Sequence, residues 1–462
     1  MCACSSDVML AVQQQLTYSP PSPCTQDVCC TVLSSFLMHR GTSLHHPIKN
    51  LSIYRSASAR SIAFPHFDPF QPDQVLWMGI RANFGNGGGT RHRLLHCLLS
   101  AVAVAVVFLD PFRLGPLGRH DYRPVKHYPA PYREVMAGWP RDHRSRLRMG
   151  RREFAGDVDG PESLEFDLEG RGPYTGLADG RVVRWMGEGA GWETFALVTA
   201  NWSEEACANG VNSTKAKQHG DEELCGRPLG LRFDRSTGDL YIADAYRGLM
   251  VVGRDGGVAT PLATHAQGER ILFANDLDLH GNGSIFFTDT STRYNRRDHF
   301  MILLEGEATG RLLRLMRYWL EGPAAGKVEV FADLPGFPDN VRANGEGHRY
   351  WVAIDCCRTR AEEFLSQRPW LRAIYFRLPL KLGVLARLVG MDMYTVVSLL
   401  DGDGKVVEVL EDRRGEVAKL VSEVREVEGK LWLGTVAHNH IVTIPYPPYL
   451  RAGHDELKKV NA

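Results

Sequence analysis

The sequence predicts an all-β fold, a β-propeller, and three observations carry that prediction. The first is a recurring unit: a polar loop, a short strand, a Gly/Asn/Asp turn and an aliphatic-aromatic strand. Gly160-Pro161-Glu162-Ser163 leads in this way to Tyr174-Thr175-Gly176, and Arg227-Pro228-Leu229-Gly230 leads to Leu240-Tyr241-Ile242-Ala243-Asp244. Ala274-Asn275-Asp276 leads to Ile285-Phe286-Phe287-Thr288-Asp289, Pro338-Asp339-Asn340 to Tyr350-Trp351-Val352-Ala353, and Val421-Ser422-Glu423 to Leu431-Trp432-Leu433-Gly434. The second is spacing. Leu240 and Ile285 are 45 residues apart, the period of a four-stranded propeller blade. The third is turn chemistry: Asp179-Gly180, Asp255-Gly256 and Asp403-Gly404 read as hairpin turns. One four-stranded sheet cannot bury both of its faces, so such units pack face to face around a channel. A sandwich competes, but it does not need the recurring unit.

Composition sets outer bounds. The chain has 462 residues, 44% of them hydrophobic, which allows a sizeable core. Lys plus Arg equals Asp plus Glu at 54 each, so nothing in the charge balance points to nucleic acid.

The chain divides unevenly. Residues 1–77 are rich in Ser, Pro, His and Cys and poor in acidic residues. They read as a disordered or spurious extension, with an organellar transit segment as the competing reading. Cys2, Cys4, Cys24, Cys29 and Cys30 lack metal-site spacing. Residues 78–109 combine Arg81, Arg91 and Arg93 with the uncharged run 94–109 and small residues at Ala101, Ala103 and Ala105. That is the pattern of a signal peptide, or of a signal anchor tying the chain to a membrane through 94–109. Residues 110–150 lead into the body at 151–450, and 451–462 form a tail.

A signal of either kind places the body in the endomembrane lumen (endoplasmic reticulum or vacuole) or outside the cell. Sequons at Asn201, Asn212 and Asn282 fit a glycoprotein there. Cys207 and Cys225 flank a polar loop that a disulfide would tether; two free thiols are the alternative.

Two intervals break the repeat. Ile285 to Tyr350 spans 65 residues and Tyr350 to Leu431 spans 81. The longer one contains a helical stretch, residues 369–390, which reads as a cap over one end of the propeller or as a basic membrane-facing helix.

Several stretches together carry a resemblance. GPESLEFD, CGRPLGLRFD, YIADAYRGLMVV, FANDLDL, FFTDTS, RYWLEGPAAGKVEVFADLPGFPDNVR, WVAIDCCR and KLWLGTVAHNHI resemble the strictosidine synthase-like proteins of plants. The match runs from about Asp110 to Pro448. The resemblance implies a six-bladed propeller with an N-terminal signal or anchor and a disulfide matching Cys207 and Cys225. More distantly the chain is similar to the paraoxonase and calcium-dependent lactonase propellers. That similarity implies a Ca²⁺ at the channel, held by Glu162, Asn275, Asp339 and Asn340, with a small-molecule substrate or ligand beside it. Oxygen donors of this kind suit Ca²⁺; turn-capping side chains are the structural alternative.

Three departures qualify the resemblance. Arg314 runs directly into Leu315 where a blade's worth of chain is expected, which implies one truncated blade. The position of the synthase's acid/base glutamate is taken by Ser422, whose hydroxyl has no pKa suited to that transfer. Glu423 stands next to it, and strict alternation along a strand would send it to the opposite face. The position of the hydrolases' histidine base is taken by Leu229. His438 and His440, two apart, would share a strand face as ligand, base or structural residues; Cys356 and Cys357 read as ordinary buried thiols. The functional expectation is a calcium-dependent ester or lactone hydrolase that does not make strictosidine, with a non-catalytic binding or cell-surface assembly propeller as the alternative.

Overall fold

The computed structural model describes residues 2–4, 8–11, 14–18, 31–32, 90–109, 123–208, 222–266, 268–305, 314–357, 359–377 and 395–447. They form an all-β propeller arrangement. In chain order the strands are β1 (Cys2–Cys4), β2 (Val8–Ala11), β3 (Gln14–Tyr18), β4 (Thr31–Val32), β5 (Arg151–Glu153), β6 (Leu164–Glu165), β7 (Tyr174–Gly176), β8 (Arg181–Trp185) and β9 (Trp192–Leu197). Next come β10 (Pro228–Phe233), β11 (Leu240–Asp244), β12 (Gly248–Val252), β13 (Gly257–Val258), β14 (Thr260–Ala263), β15 (His265–Ala266), β16 (Glu269–Arg270), β17 (Ala274–Leu279) and β18 (Ile285–Asp289). The last are β19 (Arg314–Trp319), β20 (Val328–Asp333), β21 (Gly336–Ala343), β22 (Tyr350–Cys357), β23 (Thr395–Leu400), β24 (Val406–Asp412), β25 (Val421–Val427), β26 (Lys430–Thr435) and β27 (Ile441–Pro445).

Most sheets are antiparallel meanders of consecutive strands, as short turns between alternating strands dictate. β6 to β9 form one, with β13 added in parallel at the edge; β10, β11, β12 and β14 form the next; β21 to β24 form another. β25, β26 and β27 are completed by β5, which pairs Arg151 with Thr443 and Glu153 with Ile441. The start of the body is thus bonded to its last sheet. The innermost strands touch in turn: β6 and β10, β10 and β17, β17 and β1, β1 and β21, β21 and β25, β25 and β6.

Apolar seams between neighbouring sheets hold this arrangement. Trp351, Ala353 and Val397 of one sheet pack on Val424, Leu431 and Leu433 of the next. Tyr174, Val182 and Phe195 meet Leu231, Ile242 and Met250 in the same way. Each such side chain contributes about 1.5–3 kcal/mol when fully buried.

Two further sheets take strands from the N-terminal residues. β17 and β18 are followed by β3 and β4, and β19 and β20 are preceded by β1 and β2. The sequence sets residues 1–77 apart as an extension and implies a truncated blade; four short strands of that stretch, β1 to β4, lie in these two sheets. Their contacts group Met1–Ser35 with the body, while Phe36–Arg113 forms a second unit. That second unit contains the helix Thr90–Leu109. Among the described residues no helix is long and apolar enough to cross a membrane.

The helices Arg360–Ser366 and Pro369–Arg377 occupy the expected insertion. Arg372 is buried and donates to the Val125 carbonyl, and the His127 amide donates to the Ser366 carbonyl at 3.2 Å. Arg372 is thus turned toward the segment at Val125; residues 378–394 of the insertion lie outside the described set.

Cys207 and Cys225 are disulfide-bonded, with Cα atoms 5.7 Å apart. The bridge closes a loop with a sequence separation of 18, for which loop-closure entropy gives about 3 kcal/mol. Cys207→Ala with Cys225→Ala should therefore lower the unfolding free energy by about 3 kcal/mol in urea titration. Asn201 and Asn282 are exposed, as sequons require; Asn212, Cys356 and Cys357 lie outside the described side chains.

Candidate functional site

A β-bulge at the head of four of the six inner strands, β10, β17, β21 and β25, builds the site. Pairing slips between Pro228 and Gly230 in β10, between Ala274 and Leu277 in β17, between Pro338 and Val341 in β21, and between Val421 and Glu423 in β25. A bulge inserts unpaired residues, bends the strand and re-aims side chains. The residues it frees here are Leu229, Asn275-Asp276, Asp339-Asn340 and Ser422, so the recurring loop noticed in the sequence is a recurring bulge. Beyond each bulge the two-residue period resumes. It places Asp276 and Asp278, and Glu423 and Arg425, in two successive layers, and Arg342, two residues after Asn340, reaches back into the first.

The first layer is buried and ionic. Arg342 donates through Nε to Glu423 Oε1 at 2.7 Å and through Nη2 to Asp276 Oδ1 at 2.8 Å, and its Nη1 pairs with Asp276 Oδ2. Asn340 Nδ2 donates to Glu423 Oε2 at 2.9 Å and to Glu162 Oε1 at 3.1 Å. Ser163 Oγ lies 3.4 Å from Asn340 Nδ2. Four inner strands or their leading loops thus converge on one cluster. The second layer repeats the pattern: Glu165 accepts from Arg232 Nη1 at 2.8 Å and from Arg425, while Arg232 Nε donates to Asp278 at 3.1 Å.

The charges are unequal in their compensation. Arg342 outweighs burial at Asp276 and holds that carboxyl below its usual range. In return the carboxylates keep Arg342 charged despite burial. Glu165, although buried, is held low by Arg425 and Arg232. Glu162 has no cation bonded to it, and the nearby charges of Arg227 and Arg342 do not offset its burial. Burial, reinforced by the charges of Asp276 and Glu423, pushes it up to about 8. Its Oε2 and the Asn340 Oδ1 are buried without a hydrogen-bond partner.

Glu162 is held from behind. Ser422 Oγ donates to its carbonyl at 3.0 Å, and the Thr435 amide donates to the Pro161 carbonyl at 2.7 Å. Gly434 makes that approach possible: a Cβ there would come 2.1 Å from the Glu162 carbonyl oxygen. Gly434→Ala should shift Glu162 and cost about 1–3 kcal/mol by overpacking, read as a lowered midpoint in urea titration.

These positions revise parts of the sequence reading. Ser422 is fully buried, and its hydroxyl is spent on the Glu162 backbone. Glu423 was expected on the opposite face; the bulge between Val421 and Glu423 breaks the alternation, and both side chains are fully buried. The Glu423 carboxylate joins the cluster as partner of Arg342 and Asn340. Leu229 packs in an apolar cluster with Tyr246, Phe273 and Tyr294. His438 and His440 lie in the loop before β27, not on a strand; their rings stack 5.5 Å apart, and burial lowers both pKa values.

Of the four residues expected to hold a cation, Glu162 and Asn340 meet directly, Asn275 is buried at the adjacent bulge, and Asp339 is half-buried beside Asn340. Two unpartnered buried oxygens, one carboxylate and one amide, fit a hard cation such as Ca²⁺. Among the described residues no group of three His, Cys, Asp or Glu side chains could hold a metal, so any such site leans on amide oxygens. Arg342, Ser163, Asp276 and Glu423 were not read as site residues from the sequence. The two-residue step from Asn340 to Arg342 was the available signal.

Comparison with known proteins agrees with the resemblance. The strictosidine synthase family profile matches residues 275–321, and the strictosidine synthase-like N-terminal profile matches residues 147–185. Protein Strictosidine synthase-like 13 of Arabidopsis thaliana is 58% identical over 76% of this chain and 95% of its own length. Protein Strictosidine synthase-like 3 of the same plant is 37% identical over 73% of this chain and 95% of its own. The adipocyte plasma membrane-associated protein of Salmo salar is 32% identical over 63% of this chain and 76% of its own. Among solved structures, a gluconolactonase from Xanthomonas campestris aligns with 66% of this chain and 91% of its own at 14% identity and a TM-score of 0.32, too low to argue from. On its sequence relatives, the chain belongs to the strictosidine synthase-like family.

Proposed function

We propose that the chain is a six-bladed propeller hydrolase acting on ester or lactone bonds at the Glu162–Asn340 site, with Ca²⁺ as cofactor. The six sheets of four or five strands are its blades. The observation that carries the reading is Glu162: a buried carboxyl with a free oxygen, pushed up to about 8 and fixed by Ser422, Asn340 and the Gly434 approach. Glu162 and Asn340, with Asn275 and Asp339 beside them, are the residues that would hold the ion. A bound Ca²⁺ supplies charge that polarises a carbonyl and acidifies water. The protein's own contribution is positional. Arg342 pairs with both Asp276 and Glu423 and holds the Asp276 carboxyl low, while burial still raises Glu423. With no ion bound, Glu162 exchanges its proton near neutral pH, so a cation can take the proton's place there. The buried disulfide and exposed sequons support an oxidising compartment: the endoplasmic reticulum or vacuole lumen, or the cell exterior.

A second reading has its own observation. Arg342 fills the axis with ion pairs, and the hydrolase histidine position is Leu229, which favours a non-catalytic binding propeller. Purified full-length protein assayed on aryl esters and lactones, with Ca²⁺ and then with chelator, separates the two. The enzyme reading expects chelator-sensitive turnover, reduced at least about 100-fold in Glu162→Gln. Calcium binding without turnover of either class would leave the binding reading. Tryptamine and secologanin should give no condensation product.

A further inference from the structure

The ring of inner strands has one link that does not come from the body. β1 stands between β17 and β21, where the described residues between β18 and β19 contain no strand. β2 pairs with β19, Ala11 opposite Met316 and Val8 opposite Trp319. β3 pairs with β18, Gln14 opposite Asp289, Leu16 opposite Phe287 and Tyr18 opposite Ile285. β1 and β2 then extend one sheet on its inner side, and β3 and β4 extend the other on its outer side. The four strands restore the complement of four in each sheet.

We infer that the facing edges of β18 and β19 form a strand-accepting site, and that the chain's own N-terminal strands β1 to β4 are its occupant. Two features of the acceptor support this. Every residue of β18, Ile285–Asp289, is buried, so its uncovered edge would expose a flat apolar strand with open hydrogen-bonding groups. Leu315 and Met316 of β19 are buried as well. Strand addition satisfies such an edge through main-chain bonds, with little demand on the donor's side chains. That is why residues 8–18 can serve without resembling the body.

The inference bears on the helix Thr90–Leu109. A helix crossing a bilayer once puts its flanks on opposite sides. Here both flanks, residues 2–32 and the body, share backbone ladders. A chain folded in this way keeps both on one side, and cleavage after the helix would leave the donor strands attached by hydrogen bonds alone.

The test uses the full chain with a specific protease site placed at Gly85–Gly89. After cutting, the N-terminal fragment should co-elute with the body in gel filtration. Amides in Met9–Ala11 and Gln14–Tyr18 should exchange at least about 100-fold more slowly than unstructured chain. Leu10→Pro and Leu16→Pro each remove a ladder donor and should speed exchange at β19 and β18 respectively. Random-coil exchange in residues 8–18, or release of the fragment with exchange at β18 and β19 unchanged, would overturn the inference.

Discussion

Arg342→Met should lower the unfolding free energy by about 3–5 kcal/mol, among the largest single-residue effects in the fold. The guanidinium is fully buried and is the only cation bonded to both Asp276 and Glu423 among the described residues. Its own methylenes can be replaced by an apolar chain of similar size, so packing loss is small. The cost comes from two buried carboxylates left in a low-dielectric site without the cation that bonds them both. They would take up protons instead, and the variant should gain relative stability as pH falls. Arg342→Lys should sit between the two, because a single ammonium cannot reproduce the fork that spans both carboxylates. Adding Glu423→Gln to Arg342→Met should recover part of the loss, since it deletes one of the stranded charges. Urea titrations of the four proteins at pH 7 read all of this as midpoint shifts.

Glu162→Gln should act in the opposite sense above neutral pH. The carboxyl rises from an ordinary value of 4.5 to about 8 on folding. Between those values the folded chain holds a proton that the unfolded chain has lost. Its contribution is therefore complete below pH 4.5, declines as pH rises, and is gone above about 8. The slope in that window is up to about 1.4 kcal/mol per pH unit. Glutamine has nearly the shape of the neutral acid and does not titrate. The variant should match the native chain near pH 4 and exceed it by roughly 3–5 kcal/mol near pH 9. Added Ca²⁺ should close that gap from the native side, by stabilising the ionised carboxylate through mass action. It should leave Glu162→Gln unchanged.

How much was legible in the sequence follows from the range of the interactions. The sheets were legible because alternation and hairpin turns are local, and 45-residue spacing repeats them. The disulfide was legible because a polar loop between two cysteines has few other ways to be held. The cluster was half legible. Asp339-Asn340 and Glu162 stand out at the loop-strand junctions, but a bulge is a mismatch between two strands and leaves no mark in either alone. Glu423 was lost for that reason: alternation counted from Ser422 fails where the strand carries an extra residue. Arg342 was lost because its partners lie 66 and 81 residues away. The N-terminal strands were least legible of all. Residues 8–18 have no amphipathic period of their own, and their partners are more than two hundred residues distant.

Calorimetric titration of Ca²⁺ into the full-length protein at pH 7, in buffers of different ionisation enthalpy, tests the central claim about Glu162 most directly. A cation that binds Glu162 must displace the proton that burial keeps there. The account predicts saturable binding at one site with release of close to one proton per ion, and neither binding at comparable affinity nor proton release in Glu162→Gln. Calcium binding with no proton release, or binding and release unchanged in Glu162→Gln, would contradict it.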